Sequence, residues 1–351
     1  MSHKLQKSTK LPFYKNKKIL WSVGVVAAVI FAVLLAFKVS PWPGALVIRA
    51  VFDNDSAKVK QALEKHTPSG VTKITNQQYR SGDADAFLDV YFPDTQTDTN
   101  NALPTIIWTH GGAWLSGDKA NAEPYYKLIA SKGFTVVSIN YTLAPAQSYP
   151  AQLHQLNSAH AYVLANATRL RADTSRIFLA GDSAGSQLSA QLAAIITNPE
   201  YAKEVGLQPA LNPAHLRGVL LNCGIYDMGG LTHPDPTLPK IVGWGDDVSV
   251  WAYSGTKDLN NPVIRQMSAY YHVTKDFPAT FITGGNTDPL TDAQSKPFAA
   301  KLQQLNVPVT TLFYAKDHQP ALPHEYQFNL DNQDGLLALH SMLTFVSSQA
   351  R

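Results

Sequence analysis

One cysteine, Cys223, stands among 351 residues, so no internal disulfide can form and a disulfide-stapled scaffold is excluded. At the end of an apolar run it reads as a small buried hydrophobe. Cysteine clusters for zinc are excluded with it, and the sequence has no His-Glu-x-x-His: "HEYQF" at 324–328 holds only the first two letters. "GWGDDV" at 243–248 lacks the third glycine of a dinucleotide fingerprint, so neither a metal nor a nucleotide cofactor is expected. Charge is scarce, at 16% of residues, and acid is missing altogether from the first 38 residues. That head carries Lys4, Lys7, Lys10, Lys15, Lys17, Lys18 and Lys38, and without it 22 bases face 26 acids, about −4. The overall excess of +3 is therefore local, and no nucleic-acid partner is expected.

What is present first is an apolar run, "ILWSVGVVAAVIFAVLLAF" at 19–37, with no charge and Ser22 as its one plainly polar side chain. As a helix it spans roughly 28 Å, close to the hydrocarbon thickness of a bilayer. A cleaved signal peptide has a shorter apolar region and ends in an A-x-A-like site; here Lys38-Val39-Ser40-Pro41 follows. Residues 19–37 read as an uncleaved transmembrane signal anchor, with residues 1–18 a basic cytoplasmic head and the remainder exported. Secretion after signal cleavage is the alternative.

Residues 38–70 read as a connector, helical from about Ala45 to Lys65 and broken near Asp53-Asn54-Asp55. "DTQTDTNN", 94–101, is a polar loop of turn formers. Runs at 71–80 and 86–92 predict an antiparallel lead-in. Six further strands are predicted at 103–110, 132–140, 175–181, 216–224, 277–285 and 307–315. Helical patterns fall at 121–131, 151–167, 184–197, 292–305 and 334–348. Such alternation predicts an α/β domain over 71–351, an eight-stranded, mostly parallel sheet covered on both faces. Its strand C-termini share one edge, where sites form. The interval 225–276 is longer than a crossover needs, and with Trp244, Trp251, Tyr253, Tyr270 and Tyr271 part of it reads as a helical lid or pocket wall.

In "RIFLAGDSAGSQLSAQL", 176–192, an apolar strand stops at Gly181-Asp182-Ser183-Ala184-Gly185 and turns directly into a helix. Glycines on both flanks allow close backbone approach, and the turn lifts the Ser183 hydroxyl above the sheet edge. The Ala184 amide then lies at a helix N-terminus, which favours an anion. "WTHGGAW", 108–114, follows an earlier strand, and its glycines free amides to face a substrate oxygen. Acyl transfer puts negative charge on that oxygen, so Gly111, Gly112, Ala113 and Ala184 are the candidate oxyanion hole.

These motifs, with Asp288-Pro289-Leu290 and the blocks "YTLAP" (141–145) and "YPAQL" (149–153), resemble the α/β-hydrolase fold and its hormone-sensitive-lipase-like esterases over about 71–348. The chain departs from that family at Ala113, where a third glycine is usual, and at Thr142 and Gln155, where Arg and Asp are usual. The joint loss of those two charges is coherent if they pair. A serine nucleophile needs a histidine base and a carboxylate to orient it, in chain order serine, acid, histidine. Asp288 sits just past the strand 277–285 and in the resembling Asp-Pro-Leu; Asp292 reads as a helix cap. The resemblance asks for a histidine with an aromatic two residues on, which selects His324 with Tyr326; His318, nearer the strand end, is the alternative base. His110 reads as a brace for its loop and Asp182 as a structural acceptor. The expected activity is cleavage of a small-molecule carboxylic ester, with no cofactor. An amidase or peptidase on the same fold is one rival; a binding protein that keeps the fold without turnover is another.

Overall fold

The computed structural model describes residues 17–94, 102–231 and 239–351. The basic head up to residue 16, the polar loop from residue 95, and residues 232–238 of the long interval, His233 among them, lie outside the described residues.

Eight strands form one sheet: β1 (Val71–Gln78), β2 (Phe87–Pro93), β3 (Leu103–Thr109), β4 (Thr135–Ile139), β5 (Ala172–Asp182), β6 (Leu216–Asn222), β7 (Thr280–Gly284) and β8 (Val309–Phe313). They lie in the order β1-β2-β4-β3-β5-β6-β7-β8. The β1–β2 and β2–β4 pairs are antiparallel and the rest parallel. The central strands need no alternation because both faces are covered: Ile106, Ile107 and Trp108 on β3 are buried without a break, as are Ile177 to Ala180 on β5.

The helices are α1 (Lys17–Val39), α2 (Trp42–Glu64), α3 (Glu123–Ala130), α4 (Ala151–Ala165), α5 (Ala167–Leu170), α6 (Ala184–Thr197), α7 (Pro199–Val205), α8 (Met228–Leu231), α9 (Lys240–Ser254), α10 (Pro262–Gln266), α11 (Lys296–Gln304) and α12 (Gln333–Gln349). Every residue of α6 is buried, which explains its run of Ala, Ser and Gly. Its two glutamines are satisfied inside. Gln187 Nε2 donates to the Met267 carbonyl and Gln191 Nε2 to Tyr149 and Tyr201. The first of these bonds ties the segment after α10 to α6.

Two readings need correction. The break expected at Asp53-Asn54-Asp55 is absent: α2 runs unbroken from Trp42 to Glu64. The three polar side chains are exposed, where each costs a helix only tenths of a kcal/mol, about 0.7 at most, and Ala45, Ile48 and Leu63 anchor the opposite face. Nor is α2 a mere connector. Arg49 donates to the carbonyls of Leu115 and Ala144, and Asp53 accepts from Ser116 Oγ, which fastens the helix over the loop after β3.

Candidate active site

Ser183 sits at the C-terminal end of β5, at the head of α6, with φ 51° and ψ −120°. That left-handed backbone is held because the Ser183 amide donates to the Asn222 carbonyl at 2.9 Å. The flanking glycines are steric necessities. A Cβ on Gly185 would lie 2.0 Å from the Thr109 carbonyl oxygen, and one on Gly181 would lie 2.3 Å from the Gly185 carbonyl carbon. Gly185→Ala is expected to cost about 2–4 kcal/mol, since backbone, not a pliable side chain, must give way. Thermal unfolding of the full chain in detergent checks it; an unchanged midpoint would contradict the close approach.

The loop after β3 turns at Gly112, Ala113 and Trp114, whose φ angles of 104°, 51° and 61° are all positive. Three such residues in succession expose amides on one side of the turn. Among the described residues the amides of Gly112 and Ala113 meet no acceptor, and Ala184 is the first residue of α6, where helical amides lack a partner. Gly111 is different, and its expected role needs correction: its amide donates to Asp182 Oδ2 at 2.7 Å, so it is not free for a substrate oxygen. His110 braces the turn. Its Nδ1 meets the Gly111 carbonyl at 2.8 Å, and its ring stacks on Tyr141 at 4.5 Å. Burial pushes the His110 imidazole below its ordinary value, so it is neutral.

Asp288 lies in the turn after β7, and His324 in the loop after β8. His324 Nδ1 meets Asp288 Oδ2 at 2.9 Å, while Asp288 Oδ1 accepts the Leu290 amide at 2.9 Å. His318 is drawn elsewhere, with Nε2 2.9 Å from Asp334. Asp292 pairs with Lys296 at the surface. Thr142 and Gln155 bond each other twice, at 2.8 and 2.7 Å, a neutral pair at the positions where the resembling family has charges.

A pair of neighbouring carboxyls, buried Asp182 and half-buried Glu325, unforeseen from sequence, adjoins both the serine and the histidine. Asp182 accepts from Trp108 Nε1 and the Gly111 amide, each at 2.7 Å, and stands close enough to Glu325 for the two carboxyls to influence each other's charge. Glu325 takes φ 59°, and its Oε1 lies 3.9 Å from His324 Nε2. Burial, and then the charge of Asp182, push the Glu325 carboxyl up to about 8. Asp182 already receives two N–H donors, so of the two carboxyls Glu325 is the one protonated at neutral pH. Burial pulls the His324 imidazolium down, but Asp288, Glu325 and Asp182 outweigh it and push it up to about 9. Burial and Asp247 push Asp246 of α9 up to about 7, against His324.

Ser183, Asp288, His324, Gly111, Gly112 and Ala113 line one cavity of about 1350 Å³. Its far wall is α2, through Val47, Val51, Phe52 and Val59, and the first half of α9, through Ile241, Val242 and Trp244. Of the aromatic residues expected in a lid only Trp244 faces it. Tyr253 is buried and stacks on Trp114 at 4.7 Å, and Trp251 lies under Lys257. Among the described residues, the metal-capable group is Cys223, Asp288 and His324, with donor atoms within 4.8 Å of one another. Burial, and then the Asp288 charge, push the Cys223 thiol well up, so it stays protonated and is a poor ligand.

Residues 88–302, more than half of the chain, match the BD-FAE family model. Esterase LipC of Mycobacterium tuberculosis is 25% identical over 270 residues, which is 74% of this chain and 64% of LipC. The chain thus spans less than two thirds of that relative. Carboxylesterase NlhH of the same organism is 36% identical over 129 residues, 36% of this chain and 38% of NlhH. Among solved structures, esterase B from Lactobacillus Rhamnosis superposes with a TM-score of 0.76 at 22% identity, covering 88% of this chain and 96% of that one; this likeness shows the α/β-hydrolase fold.

Proposed function

Because the chain belongs to the BD-FAE family of α/β-hydrolases, we propose that it is a serine hydrolase of carboxylic esters, tethered to a membrane through residues 19–37. The observation that carries this reading is the hydrogen-bonded His324–Asp288 pair opening into the same cavity as Ser183. In this account Ser183 Oγ attacks the ester carbonyl and gives its proton to His324 Nε2. Asp288 holds the Nδ1 proton and stabilises the imidazolium. The amides of Gly112, Ala113 and Ala184 take the developing oxyanion. His324 then protonates the leaving alcohol, and water attacks the acyl-enzyme by the same route in reverse. The test is a panel of p-nitrophenyl esters of increasing acyl length, with an arylamide alongside, on the full chain in detergent. Ester turnover well above arylamide turnover is expected. No ester turnover by folded protein would overturn the reading.

His324 acts as base only when neutral. Since its imidazolium is held up to about 9, kcat/KM is expected to rise with pH until about 9. Glu325 ionises at about 8, so it is charged when His324 gives up its proton. Glu325→Gln removes that charge and is expected to move the limb down by about one pH unit. An unmoved limb would mean that Glu325 has no part in setting the base.

Residues 19–37 are read as a signal anchor that leaves the catalytic body on the exported side. The apolar helix, of mean hydropathy 2.7 and with none of that window buried, supports the span, and the lysines before it support the orientation. A reporter fused to the C-terminus and active in the cytoplasm would overturn the orientation.

A further inference from the structure

One side of the cavity rim, formed by the first half of α2 and by Ile241 of α9, is apolar, exposed and attached directly to α1, while Asp55, Asp292 and Lys316 put charge on the rest of the rim. Only Ser40 and Pro41 separate α1 from α2. The end of α1 is also fastened to the catalytic body: Lys257 Nζ donates to the Lys38 carbonyl and lies 3.7 Å from the centre of the Trp251 ring on α9. The end of α1 therefore lies beside α9, the helix whose first half walls the cavity.

Composition changes sharply along α2. Residues 42–52 carry one charge, Arg49, and that guanidinium turns inward to the Leu115 and Ala144 carbonyls. Residues 53–65 carry Asp53, Asp55, Lys58, Lys60, Glu64 and Lys65. The half of α2 next to α1 is thus suited to an apolar boundary and the other half to water. In the first half Leu46, Val47 and Val51 are 53%, 47% and 52% exposed, and Ile241 on α9 is 67% exposed. Val47, Val51 and Ile241 also line the cavity. A side chain that is both exposed and cavity-lining stands at the mouth. At 1.5 Å per residue, Val47 and Val51 lie roughly 8 and 14 Å along α2 from its start, so both stay close to the end of α1.

We propose that this mouth rests on the bilayer surface, so that the enzyme takes an ester with long acyl chains from the membrane and not from water. The proposal rests on reading Ser183 as the nucleophile of an esterase and α1 as a membrane span, and names the substrate class and the partner surface of that site. Such a face also suits a second protein chain; the continuity with α1 favours lipid.

The test uses the full chain in lipid vesicles. Carbonate washing comes first: a chain that washes off overturns the span and this proposal with it. Leu46→Cys and Ala57→Cys, on the two halves of α2, are then labelled with a thiol-reactive fluorophore; Cys223 is buried and does not compete. Brominated acyl chains are expected to lower the emission at position 46 by about twofold or more and to leave position 57 unchanged. Equal quenching at both, quenching at neither, or cross-linking of position 46 to another chain would overturn the proposal without bearing on the esterase chemistry. A second arm uses Trp42→Asp with Leu46→Asp, exposed residues outside the cavity. Hydrolysis of a long-chain ester dissolved in the vesicle is expected to fall about tenfold or more, with turnover of a short soluble ester unchanged. Loss of neither activity would overturn the proposal. If the parent protein cleaves neither ester, the esterase reading fails, while the quenching result still stands for the surface.

Discussion

Ser183→Ala is expected to lower kcat on a p-nitrophenyl ester by about 10⁶ and to leave the melting temperature where it was. The hydroxyl is the one group at the site with no substitute, since no neighbouring side chain offers a nucleophile at the same turn. Cys223, the only thiol, is buried and held protonated. Alanine adopts the φ of 51° at the elbow at no greater cost than serine, and the Ser183 amide bond to Asn222 is a backbone bond that survives. Binding should therefore persist when turnover is gone. Rates measured under saturating ester, with melting followed in the same preparation, check both halves. Residual turnover within a hundredfold of the parent would show that another group does the chemistry; lost binding together with lost turnover would show that the elbow had collapsed.

Asp288→Asn is the second large effect, about 10⁴ in kcat. Its direction follows from the way the two oxygens are used. Oδ1 accepts the Leu290 amide and Oδ2 meets His324 Nδ1. In the variant the carboxamide oxygen stays on the Leu290 amide, because an amino group there would face another donor. The amino group then points at His324 Nδ1 and donates to it, which forces the ring proton onto Nε2. The nitrogen that should accept the Ser183 proton is already occupied. The same substitution removes the first of the charges that hold the His324 imidazolium up, so the rising limb should also move to lower pH. kcat against pH, from 6 to 10, with thermal unfolding as the control for folding, is the measurement. A loss under tenfold would mean that Asp288 is a structural turn former and His324 is oriented by something else.

The architecture was legible because it is written in long-range rhythm. Buried runs alternating with helical periods gave eight strands and the edge where they end, and the structure departs from those spans by only a few residues at each end. Ser183 was legible because strand, glycine, serine, glycine and helix follow one another without a gap. The histidines could not be separated by period or position: His318 and His324 lie six residues apart, and what distinguishes them is a contact, His324 to Asp288 and His318 to Asp334. The polar triplet Asp53-Asn54-Asp55 concealed the continuity of α2, whose helical span was otherwise read, because exposed polar residues read alike in a loop and on the outer face of a helix. The Gly111 amide was placed in the oxyanion hole because its true acceptor, Asp182, is distant in the chain. Glu325 was passed over because a glutamate in a loop ordinarily faces water; nothing local says that it stands beside a buried carboxyl, Asp182, and the base. Only part of the lid reading survives as geometry: the first half of α9 walls the cavity, while the aromatic residues after it are packed or exposed elsewhere.

The central claim is that one alcohol, Ser183, is made nucleophilic by His324. A fluorophosphonate reacts with an activated serine hydroxyl and leaves a stable adduct. Intact-protein mass and peptide mapping after exposure to such a reagent should give a single adduct, on Ser183, formed far more slowly in His324→Ala and as fast as in the parent in His318→Ala. An adduct that forms at the same rate without His324, or that maps to any other residue in the folded protein, would contradict the account.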